Sequence, residues 1–277
     1  MKRMFLFGLV NIVVVLVVSM IAALFGLTGD TSNLFGLAIF CLLWGSVGSL
    51  ISLFMSKWLA KKSFGITPIQ TPVTASERLV YSTVQRIAQQ EGITMPEVGI
   101  YRSATPNAFA TGASKNASLV AVSTGLIDLM EDDEIEAVIG HEMAHVVNGD
   151  MVTMALVQGV VNAFVLFAAN IFSRDEDGRS FLLYYVLQIV FGVVANILVV
   201  FPFSRYREFR ADAGSAKFLG RTKMIRALQK LQTLNPKHGP LMDDKKMAVQ
   251  AFFGLGGSWM ATHPSLEKRI EALKKLN

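Results

Sequence analysis

Long runs of apolar, uncharged residues are the main pattern along the chain. Four of them contain no charged side chain over 22 to 24 residues each, at positions 4–27, 34–55, 151–172 and 181–203. An α-helix of about 20 residues crosses a hydrocarbon core about 30 Å thick. The pattern therefore predicts four transmembrane helices, with longer polar segments after the second run and after the fourth.

The composition agrees with a membrane protein. Hydrophobic residues make up 52% of the 277-residue chain and the mean hydropathy is +0.45, which is too apolar for an ordinary soluble protein. The first run could instead be a cleaved signal peptide, but it exceeds the usual apolar core of about 7–15 residues, and a second run follows closely. We therefore expect an uncleaved anchor. The single cysteine, Cys41, excludes a disulfide framework and fits a reducing compartment.

Basic residues next to the runs predict the orientation in the membrane. They collect before the first run, after the second and after the fourth: Lys2, Arg3, Lys57, Lys61, Lys62, Arg205, Arg207 and Arg210. By the positive-inside rule, both chain termini and both long polar segments lie in the cytoplasm. A basic tail beside a membrane favours anionic lipid over nucleic acid. The lipid bilayer is thus an expected partner, and nucleic acid is not.

The polar segments predict a small α+β unit in two pieces. Thr74 and Glu77 have the spacing of a capping box, and the helix that they begin ends near Gly92. Short β-prone pieces start at residues 97, 107 and 118, and an acidic cluster at 131 begins a helix through His145. Further helices are expected at 204–231 and 265–276. We divide the chain into a two-span anchor at 1–57, a catalytic segment at 58–150, two spans at 151–203 and a second catalytic segment at 204–277.

Residues 140–150, GHEMAHVVNGD, carry the pattern H-E-x-x-H. On a helix, His141 and His145 share a face, so both imidazoles can bind one metal ion with Glu142 beside it. A zinc ion bound by three protein groups keeps a position for water and lowers the pKa of that water to about 7, and a neighbouring carboxylate can accept the proton. The spacing predicts a zinc-dependent hydrolase, although a motif this short also occurs by chance on helix surfaces.

A third protein ligand is needed, and it must come from a distant segment. The metzincin pattern requires glycine and histidine where this chain has Asn148 and Met151, so that class is excluded. Beyond the third and fourth runs, SRYREFRADAGSAK at 204–217 carries Glu208 and Asp212 on one helix face. These carboxylates could also form an exposed charge network with the neighbouring arginines.

The expected topology favours the ligand interpretation. A short loop joins the third and fourth runs, so they should be antiparallel neighbours that return the second polar segment to the histidines' side of the membrane. Glu208 should lie at a depth similar to that of His145, with Asp212 one turn deeper, about 6 Å away and level with His141. We therefore predict Glu208 as the third ligand and Asp212 as the acceptor for the free N–H of His141.

Four segments together carry a family resemblance: GHEMAHVVNGD, SRYREFRADAGSAK, PNAFATG at 106–112 and THPSLEKRI at 262–270. With the four runs they cover nearly the whole chain, and they resemble the HtpX family of bacterial membrane-bound heat-shock zinc proteases, which is grouped with the prenyl-protein (CAAX) endopeptidases. The resemblance implies one zinc ion per chain at His141, His145 and Glu208, with Glu142 as general base. It also implies degradation of misfolded or damaged membrane proteins at the bacterial inner membrane, in quality control and the stress response.

The resemblance implies roles for three more residues. Asn107 matches the edge strand beside the active site of related zinc peptidases, where the substrate backbone pairs as an added strand. The alternative for an asparagine after proline is a turn residue. His263 would face the oxyanion as a catalytic residue, with Arg269 beside the site. A histidine before Pro264 could equally be a helix cap or a surface residue.

The sequence as a whole predicts an integral-membrane zinc endopeptidase that acts on polypeptides. We expect a mainly α membrane protein with four transmembrane helices and a cytosolic, zincin-like α+β catalytic domain that contains a small β-sheet. A non-proteolytic metal-binding membrane protein is the alternative from another class, but a transporter would need charges within the spans, and there are none. Within the enzyme class, a selective prenyl-peptide protease is the alternative.

Overall fold

The computed structural model describes residues 34–175, 178–234 and 264–276, so the first apolar run and His263 lie outside the described residues. The described elements follow in chain order: α1 (Leu34–Phe64), α2 (Ala75–Gln90), β1 (Glu97–Tyr101), β2 (Ala108–Ser114), β3 (Ala117–Ser123), α3 (Thr124–Leu129), α4 (Asp132–Asn148), α5 (Asp150–Phe172), β4 (Arg174–Asp175), β5 (Gly178–Arg179), α6 (Phe181–Ala195), a π-helical turn (Asn196–Val200), α7 (Phe201–Leu219), α8 (Arg221–Leu234) and α9 (Leu266–Lys274). The prediction of a mainly helical chain with a small sheet is confirmed.

Three helical stretches within the described ranges are long and apolar enough to cross a membrane. They are Gly36–Phe64, Asp150–Phe172 and Phe181–Leu219, which contain most of the second apolar run and all of the third and fourth. The last stretch is not one regular helix, because α6 passes through the π-helical turn before α7 begins. Pro202, which lacks the N–H that a regular i→i−4 hydrogen bond needs, closely follows this turn.

Tertiary contacts divide the chain into two compact units. One unit contains the described residues between 34 and 54 and between 152 and 200, which hold most of the apolar helix length. The other contains the described residues between 55 and 151 and from 201 onward, and we call it the polar unit. Residues from both polar segments, although separated in sequence by two apolar runs, therefore share one compact unit.

The core of the polar unit lies between a three-stranded sheet and several helices. The strand order is β1-β3-β2, with β1 parallel and β2 antiparallel to β3, so β2 is an edge strand among the described strands. Buried apolar side chains of α2, β3, α4, α8 and α9 meet in one cluster: Val80, Val84, Ile87, Val120, Val122, Ile135, Ile139, Met143, Leu228 and Leu273. Two of these helices, α8 and α9, belong to the polar segment after the fourth apolar run. That segment is therefore part of the core that supports α4.

Local signals explain where several helices begin and end. The predicted capping box of α2 is present: the Glu77 N–H donates to Thr74 Oγ1 at 3.1 Å, and the Thr74 N–H donates to the Glu77 carboxylate at 2.9 Å. α4 ends at Gly149, whose φ of 68° is left-handed. The single helix predicted over 204–231 is wrong: Gly220, with a φ of 99°, separates α7 from α8 because a left-handed residue cannot continue a right-handed helix.

Small residues allow α4 and α7 to approach closely. A Cβ added at Gly140 would lie 2.8 Å from Ser215 Oγ, and one added at Gly214 would lie 2.6 Å from the Ala144 Cβ. The Ser215 hydroxyl donates to the Ala137 carbonyl oxygen at 2.7 Å, which ties the two helices together. This contact aligns the H-E-x-x-H face of α4 with the acidic face of α7.

Candidate metal centre

Three potential metal-ligating side chains meet between α4 and α7. One donor atom from each of His141, His145 and Glu208 lies within 4.8 Å of the other two, and all three residues are buried. The Nε2 atoms of His141 and His145 each lie 3.4 Å from a different Glu208 oxygen. The imidazole rings are nearly perpendicular, with centroids 4.8 Å apart, as i,i+4 residues on one helix face can be. The structure thus brings together all three residues that the sequence analysis proposed as ligands.

Each histidine contacts an aspartate through its other ring nitrogen. His141 Nδ1 lies 2.9 Å from Asp212 Oδ1, and His145 Nδ1 lies 2.6 Å from Asp150 Oδ2. A carboxylate at Nδ1 favours the tautomer with its proton on Nδ1, which leaves the Nε2 lone pair for a metal ion. Two imidazoles and one carboxylate, with both Nε2 atoms facing Glu208, fit the donor set of a catalytic zinc site.

Arg269 of α9 holds the first of these aspartates. Its Nε donates to Asp212 Oδ2 at 2.8 Å and its Nη2 to Oδ1 at 2.6 Å, a two-point contact that fixes the carboxylate plane. Arg269 Nη1 also lies 3.5 Å from Glu208 Oε2. The family resemblance predicted Arg269 beside the site without a partner, and in the structure Asp212 is that partner.

Asp150 and Arg207 were not identified from the sequence as site residues. Asp150 is the first residue of α5 and is only 2% exposed, and its Oδ2 also lies 3.4 Å from Arg207 Nε. Asp150 follows His145 by five residues, which is outside the i,i+3 and i,i+4 spacings of a helix. The sequence signal was Gly149, because a left-handed glycine ends a helix and lets the next residue leave the helical path.

Protonation of the histidines competes with metal binding. Burial lowers the pKa of His145, but hydrogen bonds to Asp150 and Glu208 and the charge of Glu142 outweigh it and raise the pKa to about 9. Burial likewise lowers the pKa of His141, and its contacts with Asp212 and Glu208 raise it by more, so the net shift is upward. Since a metal ligand must be the deprotonated imidazole, the same carboxylates that orient the rings also make metal binding dependent on pH.

Two further predicted site residues, Glu142 and Asn107, are among the described residues. Glu142 is half-buried on α4 between the two histidines. Asn107 immediately precedes β2, and its N–H donates to Ser123 Oγ at 2.9 Å while its carbonyl accepts from the Ser123 N–H at 2.8 Å. Burial raises the pKa of Tyr101 to about 12; the Asn107 side chain lowers it and the charge of Glu142 raises it. The edge strand β2 packs against α4, the helix that carries the H-E-x-x-H motif.

Comparisons with known proteins agree on one family. Residues 74–277 match the family model described as peptidase family M48. The chain is 48% identical to "Protease HtpX" of Glaesserella parasuis serovar 5 (strain SH0165), over 100% of both chains. It is 46% identical to "Protease HtpX" of Thioalkalivibrio sulfidiphilus (strain HL-EbGR7), over 100% of this chain and 99% of that protein. The resemblance predicted from the four motif segments is confirmed.

A solved structure shares the fold. The crystal structure of S. mikatae Ste24p superposes with a TM-score of 0.66 at 17% sequence identity. The match covers 98% of this chain and 64% of that one, so this chain spans somewhat less than two thirds of Ste24p. The similarity therefore extends through the apolar helices as well as the polar unit.

Proposed function

The chain belongs to peptidase family M48, and from that premise we propose a membrane-bound zinc endopeptidase with His141, His145 and Glu208 as zinc ligands and Glu142 as general base. The observation that carries the proposal is the meeting of three buried donors from α4 and α7, with each histidine backed by a carboxylate. Apolar helices long enough to cross a membrane support the membrane-bound assignment. One zinc ion per chain follows from this single donor set in the described residues.

The protein residues around the metal orient its ligands, transfer a proton and keep the ligands away from water. When bound, zinc supplies a Lewis acid that activates water and polarises a peptide carbonyl. His141 and His145 present Nε2 because Asp212 and Asp150 hold their Nδ1 protons. Glu142, between the histidines on the same helix, accepts the proton of the attacking water and delivers it to the leaving amine. Burial of the ligands favours this chemistry, because electrostatic interactions are stronger away from water.

The substrate backbone is proposed to bind along β2. This strand is at the edge of the described sheet, so one side of its backbone pairs with no other described strand and could pair with an extended polypeptide. Asn107, immediately before β2, is proposed to contact that substrate, and the packing of β2 against α4, which carries Glu142, supports the position. His263 is proposed to face the oxyanion; it lies outside the described residues, six positions before Arg269.

The proposed topology has four spans, with both termini and the active site in the cytoplasm of a bacterial inner membrane. The polar unit, from the segments at 58–150 and 204–277, forms the catalytic domain, and residues 1–57 and 151–203 anchor it. Basic residues after the second and fourth apolar runs support this orientation. Cysteines introduced at Thr31 and Asp177 should react with an impermeant thiol reagent from outside, and cysteines at Lys115 and Lys237 should not. Labelling at Lys115 from outside would contradict the cytoplasmic active site.

We propose misfolded or damaged membrane proteins as substrates, because the H-E-x-x-H helix is followed in sequence, after one residue, by an apolar helix long enough to cross a membrane. The test is proteolysis of an unfolded polypeptide by the full chain in detergent, with and without a chelator, and by Glu142→Gln. Loss of a general base costs about 10²–10⁴-fold in rate, so Glu142→Gln should lose activity while it keeps one zinc ion per chain. Full activity in this variant, or activity that survives complete zinc removal, would refute the mechanism.

A further inference from the structure

The aspartate that contacts His145 comes from a different helix than the aspartate that contacts His141. His141 is held by Asp212 of α7, which in turn binds Arg269 of α9. His145 is held by Asp150, the residue that begins α5, which in turn meets Arg207 of α7. Both supports have the order histidine, aspartate, arginine. The second, however, depends on a short connection between α4 and α5 and on the residue next to Glu208.

We infer that Asp150 and Arg207 are positioning residues for His145: Asp150 orients the ring through Nδ1, and Arg207 acts by holding Asp150. The inference rests on the proposed metal centre. Its main evidence is that one carboxylate oxygen, Asp150 Oδ2, lies 2.6 Å from His145 Nδ1 and 3.4 Å from Arg207 Nε. A rotation of the Asp150 side chain would therefore release the ring and the guanidinium together.

Burial makes this contact matter for the geometry of the site. The side chains of Asp150, His145 and Arg207 are only 3%, 10% and 15% exposed, so water cannot easily replace either partner of the carboxylate. A buried charge without its partner is strongly unfavourable. Asp150 must therefore stay close to both groups, which restricts the ring of His145 to one orientation.

The chain path explains how α7 contributes twice to the centre. Arg207 and Glu208 are consecutive on α7, so the helix that brings the third donor also brings the countercharge for Asp150. Gly149, with a φ of 68°, makes the turn that allows Asp150 to face the preceding helical turn of α4. Packing of α7 on α4 thus brings both Glu208, the third donor, and Arg207, which contacts the aspartate that orients His145.

A purely structural role makes a different prediction. Asp150 also stands at the N-terminus of α5, where a negative charge stabilises the helix dipole. If that were its only role, Asp150→Asn would lower the thermal stability of the metal-free protein without changing how the metal is held. A positioning role requires faster metal release and an altered ligand geometry even where the metal-free stability is unchanged.

The test uses the full-length protein loaded with Co²⁺, whose visible spectrum reports ligand geometry. The rate of Co²⁺ transfer to excess chelator is measured for the parent, Asp150→Asn, Arg207→Gln and the double variant, together with thermal unfolding of the metal-free forms. Loss of such an outer contact costs about 10–100-fold in metal affinity, so Asp150→Asn should release Co²⁺ about 10–100-fold faster with a changed spectrum. Arg207→Gln should have a smaller effect in the same direction.

Two comparisons decide the inference. Because Arg207 acts through Asp150, Arg207→Gln should add nothing in the Asp150→Asn background, and independent, multiplying effects would overturn the link between them. Arg210→Gln is the matched control, since Arg210 is on the same helix and its Nη2 donates to Asn148 Oδ1 at 3.2 Å, a contact that does not involve Asp150. It should release Co²⁺ at the parent rate.

The proposed centre and the inference fail in distinguishable ways. If the parent binds one Co²⁺ that Glu208→Ala abolishes, and Asp150→Asn and Arg207→Gln keep the parent rate and spectrum, only the positioning role is overturned. If the parent binds no stoichiometric Co²⁺, the proposed metal centre is refuted, and the inference with it. Should Asp150→Asn not fold, Arg207→Gln alone decides, because unchanged release and spectrum in that variant would overturn the inference.

Discussion

Replacement of Gly140 by alanine tests whether close packing of α4 on α7 sets the geometry of the metal centre. Gly140 immediately precedes His141, and an added Cβ would lie 2.7 Å from Leu219 Cδ1 and 2.8 Å from Ser215 Oγ. The leucine methyl belongs to a flexible side chain and can move. The serine hydroxyl cannot move without loss of its 2.7 Å hydrogen bond to the Ala137 carbonyl.

The expected cost combines three effects. Overpacking costs about 1–3 kcal/mol and the lost hydrogen bond about 0.5–1.5 kcal/mol, while alanine in place of glycine favours a helix by about 1 kcal/mol. The net free energy of unfolding should therefore fall by about 0.5–3.5 kcal/mol. Because relief of the contact requires α4 and α7 to separate, Glu208 should also move away from the histidines and the metal should dissociate faster.

The assay is metal release to a chelator, combined with thermal unfolding of the metal-free full chain in detergent. Gly192→Ala is the matched control, because a Cβ there meets no atom within 4 Å and metal release should be unchanged. Ser215→Ala in the Gly140→Ala background removes the oxygen that causes the closest polar contact and should restore part of both properties. Parent-like release and unfolding in Gly140→Ala, or no recovery in the double variant, would refute the packing argument.

Three further predictions concern the centre and its surroundings. Glu208→Ala should abolish stoichiometric zinc binding, whereas Asp212→Asn should retain zinc with about 10–100-fold weaker affinity; metal analysis that gives the reverse order would exchange the two roles. Asn107→Ala should lower kcat/KM for a peptide without a change in zinc content, and unchanged kinetics would return Asn107 to the role of a turn residue. Since the pKa of His145 is raised to about 9 in the metal-free protein, this imidazole is protonated at neutral pH, and zinc binding near pH 7.5 should release a proton. Release should diminish above about pH 9; titration calorimetry in buffers of different ionisation enthalpy measures it, and heats independent of the buffer would contradict it.

The same shift predicts how the metal-free protein responds to pH. The His145 pKa is higher in the folded protein than the ordinary value of 6.5, so protonation of this ring stabilises the fold. That contribution is complete below the unfolded pKa and is lost as the pH rises through about 9. When zinc is bound, the deprotonated ring of His145 is the form that stabilises the fold, because zinc binds that form.

Patterns that depend on nearest neighbours were readable from the sequence. The apolar runs at 34–55, 151–172 and 181–203 appear within the three long apolar helices, because transfer of side chains to lipid depends on composition along a segment. The i,i+4 spacing placed His141 and His145 on one face, since the period of the α-helix is a local property. The same helical period predicted that Glu208 and Asp212 share a face. The expectation that two antiparallel spans begin and end on the same side of the membrane predicted that this face meets the histidines.

Helix boundaries were less predictable. The apolar run that ends at residue 55 continues as helix to Phe64, and the single helix expected over 204–231 is interrupted at Gly220. Hydropathy does not mark the end of a helix that leaves the membrane. A glycine within a helical pattern signals a break only when its backbone turns left-handed, which the surrounding packing decides.

The sequence by itself determined which side chains could bind a metal, because the chemistry of imidazole and carboxylate and their helical spacing depend only on residue type and position in the chain. Only the tertiary structure decided what orients them. Asp150 faces His145 because α4 ends at the left-handed Gly149, and Arg269 meets Asp212 because α9 packs beside α7 from more than fifty residues away. Such contacts depend on the three-dimensional path of the backbone, which brings residues far apart in sequence together. No periodic pattern in the sequence predicts them.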